Sequence, residues 1–438
     1  MDDHRAMFCR RCVKATAQGN PLPSGAVKSA ATGRARMQDQ KYSGAQALWI
    51  LAGLAFGVCI TSGFARFAYG LILPSMQDDL GWGFAQAGWI NTANALGYLL
   101  SAVVSVGLFR RFAQERLFAW GVVLTTLTLV ASGLTRDFWV LSFWRFASGV
   151  FAAPVFIAAG ALASNLFGAD QRRNAMAIAL TFGGGGLGMV LAAVTFPPLF
   201  AFQGAGSWPL AWLSMGVASV LMTPLSLWAA RQLNTPVRRG TDAPAPPLRS
   251  MGFEIAGYFM FAVGYIVYLT FLSAWMRSLG AGPWMVSAVW SIVGVGTLLS
   301  SFIWRGVIGR FQSGVPLALT NGCVAVAILL PVVFPTLAGL LVSSALFGLT
   351  VFMPPTSVTS FIRQNNPPDT WGRLMSVYTV MFATGQCIGP YAAGLIGDAF
   401  DDIGYGLVAA AVILAIGAVC GAMQRGLVAP PAKDAVLP

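Results

Sequence analysis

Charge is scarce in this chain. Lys, Arg, Asp and Glu together make up 10% of the 438 residues, against about 25% in ordinary soluble domains. So few charges cannot cover the surface of a water-soluble fold of this size, so an aqueous globular protein is excluded. Acids are scarcer than bases, 15 Asp and Glu against 27 Lys and Arg, and His4 is the lone histidine. The apolar stretches hold no paired carboxylates, metal cluster or activated nucleophile, so an enzyme is not expected. A Gly-rich P-loop is also missing, which excludes ATP drive by this chain. Cysteine is sparse too. Cys59, Cys323, Cys387 and Cys420 lie in apolar stretches as small hydrophobes. Cys9 and Cys12 form a single C-x-x-C near His4, whereas structural zinc takes four ligands. Neither a cofactor nor a metal nor a disulfide framework is expected.

What is abundant is apolar: 56% of the residues are hydrophobic. A helix crossing a bilayer needs about 20 mostly apolar residues. Twelve such runs can be read, from 48–73 to 404–423. With the N-terminus placed in the cytoplasm, 23 of the 27 Lys and Arg fall in cytoplasmic segments. Arg136 and Arg277 fall in outer loops, and Arg66 and Arg145 within helices. Asp78, Asp79, Asp398, Asp401 and Asp402 collect on the outer side. This bias puts both termini inside a bacterial cytoplasmic (inner) membrane. The net charge of +12 is thereby assigned to topology and to membrane lipid headgroups, with no nucleic-acid partner.

Residues 1–46 are expected to be a disordered cytoplasmic tail, with Met37 as an alternative start of translation. Six-helix bundles are expected over 47–230 and 251–425, joined by a Pro- and Arg-rich cytoplasmic linker at 231–250 and followed by a cytoplasmic tail at 426–438.

The halves repeat each other. At an offset of 199, Leu80-Gly81-x-Gly83 falls on Leu279-Gly280-x-Gly282, and Gly97-x-Leu99-Leu100-Ser101 on Gly296-x-Leu298-Leu299-Ser300. Arg111-Phe112 meets Arg310-Phe311, and Gly149 meets Gly348. Helix n therefore corresponds to helix n+6, in the same orientation. Two such halves related by an axis along the membrane normal place a solute site between them near the midplane.

Three stretches carry a family resemblance: Arg145-Phe146-Ala147-Ser148-Gly149, Thr181-Phe182-Gly183-Gly184-Gly185-Gly186-Leu187-Gly188, and Gly63-Phe64-Ala65-Arg66-Phe67-Ala68-Tyr69-Gly70 with Pro74. The first resembles the R-x-x-x-G motif of the major facilitator superfamily (MFS), the second its antiporter motif without the usual proline, and the third its YbfB/YjiJ branch. The resemblance implies an all-α membrane protein of twelve transmembrane helices in two pseudo-symmetric six-helix bundles. Where the family has an aspartate that helps gate the cytoplasmic side, Gly107–Phe112 has arginines and no acid.

Arg66 is expected to face a polar cavity as an anion-binding or gating cation, because a charge in the bilayer interior is costly; the alternative is that it snorkels to the outer headgroups. Arg145 is expected either to take part in coupling, as the resemblance implies, or to bond backbone carbonyls of a neighbouring helix. Asn91, Asn94, Tyr98 and Ser101 share a helical face, which must meet protein or water. Tyr265, Tyr268 and Gln386 complete the substrate-path candidates, and by the repeat Tyr265 occupies the position of Arg66. Glu254 is the coupling candidate, at the cytoplasmic start of helix 7. Gly184-x-x-x-Gly188 and Gly385-x-x-x-Gly389 are expected to pack helices closely, and Pro354-Pro355 to bend helix 10.

The reading is a secondary transporter of a small solute working by alternating access, with an organic anion as first substrate. The alternatives are an efflux carrier for hydrophobic or drug-like compounds and, behind it, a non-transporting membrane receptor. Protons or a counter-anion are the candidate co-substrates. The chain is expected to work as a monomer.

Overall fold

In the computed structural model, residues 42–427 are described, apart from 169, 234–247 and 368–369. The proposed C-x-x-C, most of both tails and most of the linker lie outside them. No strand is present among the described residues.

The first helix is built in three parts. α1 runs over Gly44–Val58, a widened stretch over Cys59–Phe67, and α2 over Tyr69–Leu80. α1 begins several residues before the first apolar run because Ser43 caps it, its hydroxyl accepting from Gln46 N at 3.2 Å. α3 spans Phe84–Arg111, α4 Gln114–Ser132, α5 Phe138–Ala163, α6 Gln171–Gln203 and α7 Trp208–Gln232. The second half repeats the order. α8 spans Gly252–Ser278, α9 Pro283–Ile308, α10 Val315–Val333, α11 Leu337–Thr350, α12 Met353–Asn365, α13 Trp371–Phe400 and α14 Ile403–Met423. The chain breaks between α11 and α12 where Pro354 and Pro355 withhold backbone donors.

Ten helical stretches among the described residues are long and apolar enough to cross a membrane. The sequence reading of twelve is not reached by that measure. α3 and α13, of 28 and 30 residues, are not among these ten. α3 lies against α13 and α5, and α13 also against α8. Buried Asn91, Thr92, Asn94 and Gln386 therefore meet protein instead of lipid.

The repeat is visible in the bounds: shifted by 199 residues, Phe84 lands on Pro283 and Phe138 on Leu337, all helix starts. Gly81 and its counterpart Gly280 both lie past the helix end with positive φ, +66° and +73°. That left-handed backbone ends the helix and suits glycine, which lacks the clashing Cβ. The two halves meet through α3 on α13, through α6 on α9 and through α2 on α8. The first two contacts are equivalent under the repeat.

Candidate functional site

Where the halves meet, the widened stretch of helix 1 carries Arg66. Here Ala68 N donates to Gly63 O, five residues back, at 2.9 Å. Such i→i+5 bonding is rare and frequent at functional sites. Arg66 is only 9% exposed. Its Nη2 donates to Gln386 Oε1 on α13, and its guanidinium lies over the Tyr98 ring of α3, 4.7 Å from the centroid. Gln386 Nε2 in turn donates to the Tyr265 hydroxyl on α8. One amide thus bridges Arg66 and Tyr265, the two positions equivalent under the repeat. The ion pairs among the described residues are Arg136–Asp79, Arg173–Asp170 and Arg277–Asp78. Arg66 has no carboxylate partner among them.

Aromatic rings flank this group. On α8, Tyr258, Phe261 and Tyr265 stack in sequence, with centroids 6.0 and 4.7 Å apart. Phe382 of α13 lies 5.3 Å from Tyr258 and 5.7 Å from Tyr265, nearly parallel to both. A guanidinium presents a planar fork that matches a carboxylate. Flat rings beside it suit a flat apolar body. Tyr265 was expected from the sequence, whereas Tyr258, Phe261 and Phe382 were not. Their spacing was the available signal: Tyr258, Phe261 and Tyr265 fall on one helical face, and Phe382 is one turn before Gln386.

Of the substrate-path candidates, Arg66, Tyr98, Tyr265 and Gln386 come together and the others do not. Asn91 Nδ2 donates to Thr270 Oγ1 of α8 at 2.6 Å, a tie between the halves. Asn94 Nδ2 donates to the Arg145 carbonyl at 3.1 Å. Tyr268 shares a 2.7 Å hydrogen bond with Ser343 and stacks on Phe347, inside the second half. Arg145 is fully buried in the first half, beside Tyr69 and Trp212. Glu254 is 11 residues before Tyr265 on α8, about 16 Å along the helix at ~1.5 Å per residue. It is 1% exposed, its backbone N donates to Gln424 Oε1 at 3.1 Å, and its Oε2 is buried without a hydrogen-bond partner.

Polar contacts join the halves at one end of the interface, the end where α3 begins. Asp398 of α13 accepts from Phe84 N and Ala85 N, at 2.6 and 2.8 Å. Arg277 of α8 donates to Asp78 and to the Pro74 carbonyl. Asp78 and Arg277 are equivalent positions of the repeat. The glycine pairs pack as expected. Gly184 abuts the Ala55 carbonyl and Gly188 the Gly63 Cα, while Gly385 and Gly389 abut α8.

Comparison with known proteins bears on the fold and the family. Residues 58–422 match the family model described as the uncharacterised MFS-type transporter YbfB. The uncharacterised MFS-type transporter YceJ of Bacillus subtilis is 23% identical over 370 residues, covering 80% of this chain and 90% of that one. The 3-(3-hydroxy-phenyl)propionate transporter of Escherichia coli is 29% identical over 211 residues, 48% of this chain and 50% of that one. Among solved structures, a bacterial homologue of the human lysosomal transporter Spinster, inward-facing and unoccupied, superposes with a TM-score of 0.66 at 16% identity, covering 87% of this chain and 97% of that one. The nucleoside transporter NupG superposes with a TM-score of 0.61 at 14% identity, covering 86% and 96%. The chain belongs to the major facilitator superfamily, in the family of the MFS-type transporter YbfB, and is a secondary transporter of small solutes.

Proposed function

We propose that the solute is a small organic anion with a flat apolar body, held by Arg66 and Gln386 beside Tyr265 and Phe382. The observation that carries this reading is Arg66 itself, a buried guanidinium at the interface of the halves without a carboxylate partner among the described residues. A buried charge is costly unless paired, and a solute carboxylate supplies the partner. The hydroxyphenylpropionate named for the Escherichia coli relative has this chemistry.

The halves, 47–230 and 251–425, rock about the contacts of α3 on α13 and α6 on α9, and α3 and α13 cross the membrane with the ten apolar spans. With the basic loops in the cytoplasm of a bacterial inner membrane, both termini lie inside and the Asp398 end faces out. The described state is then closed to the outside. Lipid headgroups hold the basic loops, Glu254 is the proton-coupling candidate, and the carrier works as a monomer without catalytic chemistry.

The test is thermal stabilisation of the purified protein by 3-(3-hydroxyphenyl)propionate and by its neutral amide. The acid should stabilise the wild type and the amide should not, and Arg66→Ala should erase the difference. Equal stabilisation by both, or stabilisation only by hydrophobic cations, refutes the anion reading and favours the efflux alternative.

A further inference from the structure

Arg145 is the second buried cation, and its contacts differ in kind from those of Arg66. It is fully buried, and its Nη1 donates to the Ala65 carbonyl, inside the widened stretch and one residue before Arg66. Its guanidinium lies beside two rings that stack on each other, 5.4 Å from the Tyr69 centroid and 5.0 Å from that of Trp212. Tyr69 is itself fixed, its hydroxyl donating to Ala87 O at 2.7 Å.

The Arg145 backbone is fixed as well. Asn94 holds its carbonyl at 3.1 Å. A Cβ on Gly149, one turn further on, would stand 1.9 Å from the Asn94 carbonyl, so α3 and α5 are in direct backbone contact there. A chain of rigid contacts therefore runs from Asn94 through Arg145 to Ala65 and ends at Arg66. Nothing in it reaches the aromatic rings of the second half.

A stretch bonded i→i+5 has a competitor, the ordinary i→i+4 helix, which is the more common form. Passing from one to the other turns the residues that follow about the helix axis. It would swing Arg66 away from Gln386 and Tyr98. An external donor on a carbonyl of the widened stretch favours the wide form over the narrow one.

We propose that Arg145 is a positioning residue: it does not touch the solute but, by holding the Ala65 carbonyl, keeps helix 1 in the widened form that aims Arg66 at the interface. The proposal rests on Arg66 lying at the solute site, but its first test needs no solute.

In a chain whose native cysteines are replaced by serine, Arg66→Cys is labelled by a cationic methanethiosulfonate, with Tyr265→Cys as a control on the opposite half. Adding Arg145→Gln should change the labelling rate at position 66 at least fivefold and leave that at 265 within twofold. Arg145→Lys, which keeps a charged donor, should restore part of the original rate. An unchanged rate at 66, or equal changes at both positions, overturns the proposal, because the second is the mark of general loosening.

With Arg66 intact, transport of 3-(3-hydroxyphenyl)propionate into proteoliposomes gives a second readout. Arg145→Gln should raise KM at least fivefold and keep the maximal rate within twofold. A lower maximal rate at unchanged KM overturns positioning. Absence of wild-type transport of this anion counts against the substrate reading, and the labelling result then decides the positioning role alone.

Discussion

Asp398 provides a direct test of how the closed end is held. Its carboxylate lies on α13 but caps α3, accepting from Phe84 N and Ala85 N at 2.6 and 2.8 Å. These amides have no acceptor within their own helix. A capping side chain replaced by alanine costs about 0.5–2 kcal/mol, and an anion at a helix N-terminus adds about 0.3–1 kcal/mol. Asp398 is exposed, so solvent screens it and the lower end applies, about 1 kcal/mol or roughly a fivefold change in population. Because cap and helix belong to opposite halves, the loss falls on their association and little on the folding of either. Dyes on Gln203 and Ala281, one in each half, should report the change by single-molecule energy transfer. In Asp398→Ala the ratio of separated to closed molecules should rise about fivefold with little change in melting temperature, and Asp398→Asn should fall between. An unchanged distribution, or a melting temperature that drops while the distribution stays fixed, refutes this account of the closure.

Other expectations concern the same interface. Arg277→Ala should move that distribution less than Asp398→Ala, since both Arg277 and Asp78 are substantially exposed, at 41% and 53%, and exposed pairs contribute about 0–1 kcal/mol. Gly70→Ala should shift that distribution toward separated molecules by an amount equivalent to about 1–3 kcal/mol, because its Cβ would stand 1.9 Å from the Leu269 carbonyl across the halves. Tyr265→Phe removes the hydroxyl that receives Gln386 Nε2. It should weaken anion binding by titration calorimetry about threefold to tenfold, the value of one hydrogen bond of about 0.5–1.5 kcal/mol.

The fold was legible because lipid imposes its own composition. Apolar runs, basic loops and the offset of 199 residues each act over the whole chain, and Gly81 with Gly280 shows why the repeat survives at a helix end. α3 and α13 were readable as helices from length and pattern, and their polar residues turn to protein, Asn91 to Thr270 of α8 and Asn94 to the Arg145 carbonyl. The site was half legible. Arg66 and Gln386 stood out as polar groups in apolar surroundings. Tyr268 and Asn94 stood out equally, yet they serve Ser343 and the Arg145 carbonyl. Which way a polar side chain turns depends on neighbours far away in sequence, such as the 320 residues that separate Arg66 from Gln386. The widened form of Cys59–Phe67 had no signature in composition.

The bridge from Arg66 through Gln386 to Tyr265 has a consequence for the unloaded carrier. The amide of Gln386 already offers the guanidinium an oxygen, much as a solute carboxylate would. It acts as a built-in stand-in for the cargo. On the proposed anion reading, an arriving carboxylate takes over this contact with Arg66, so part of the binding free energy goes into an exchange of partners. The same stand-in keeps the buried charge solvated by protein in the unloaded state described. A carrier of this kind can return empty without dragging a bare cation through the membrane interior.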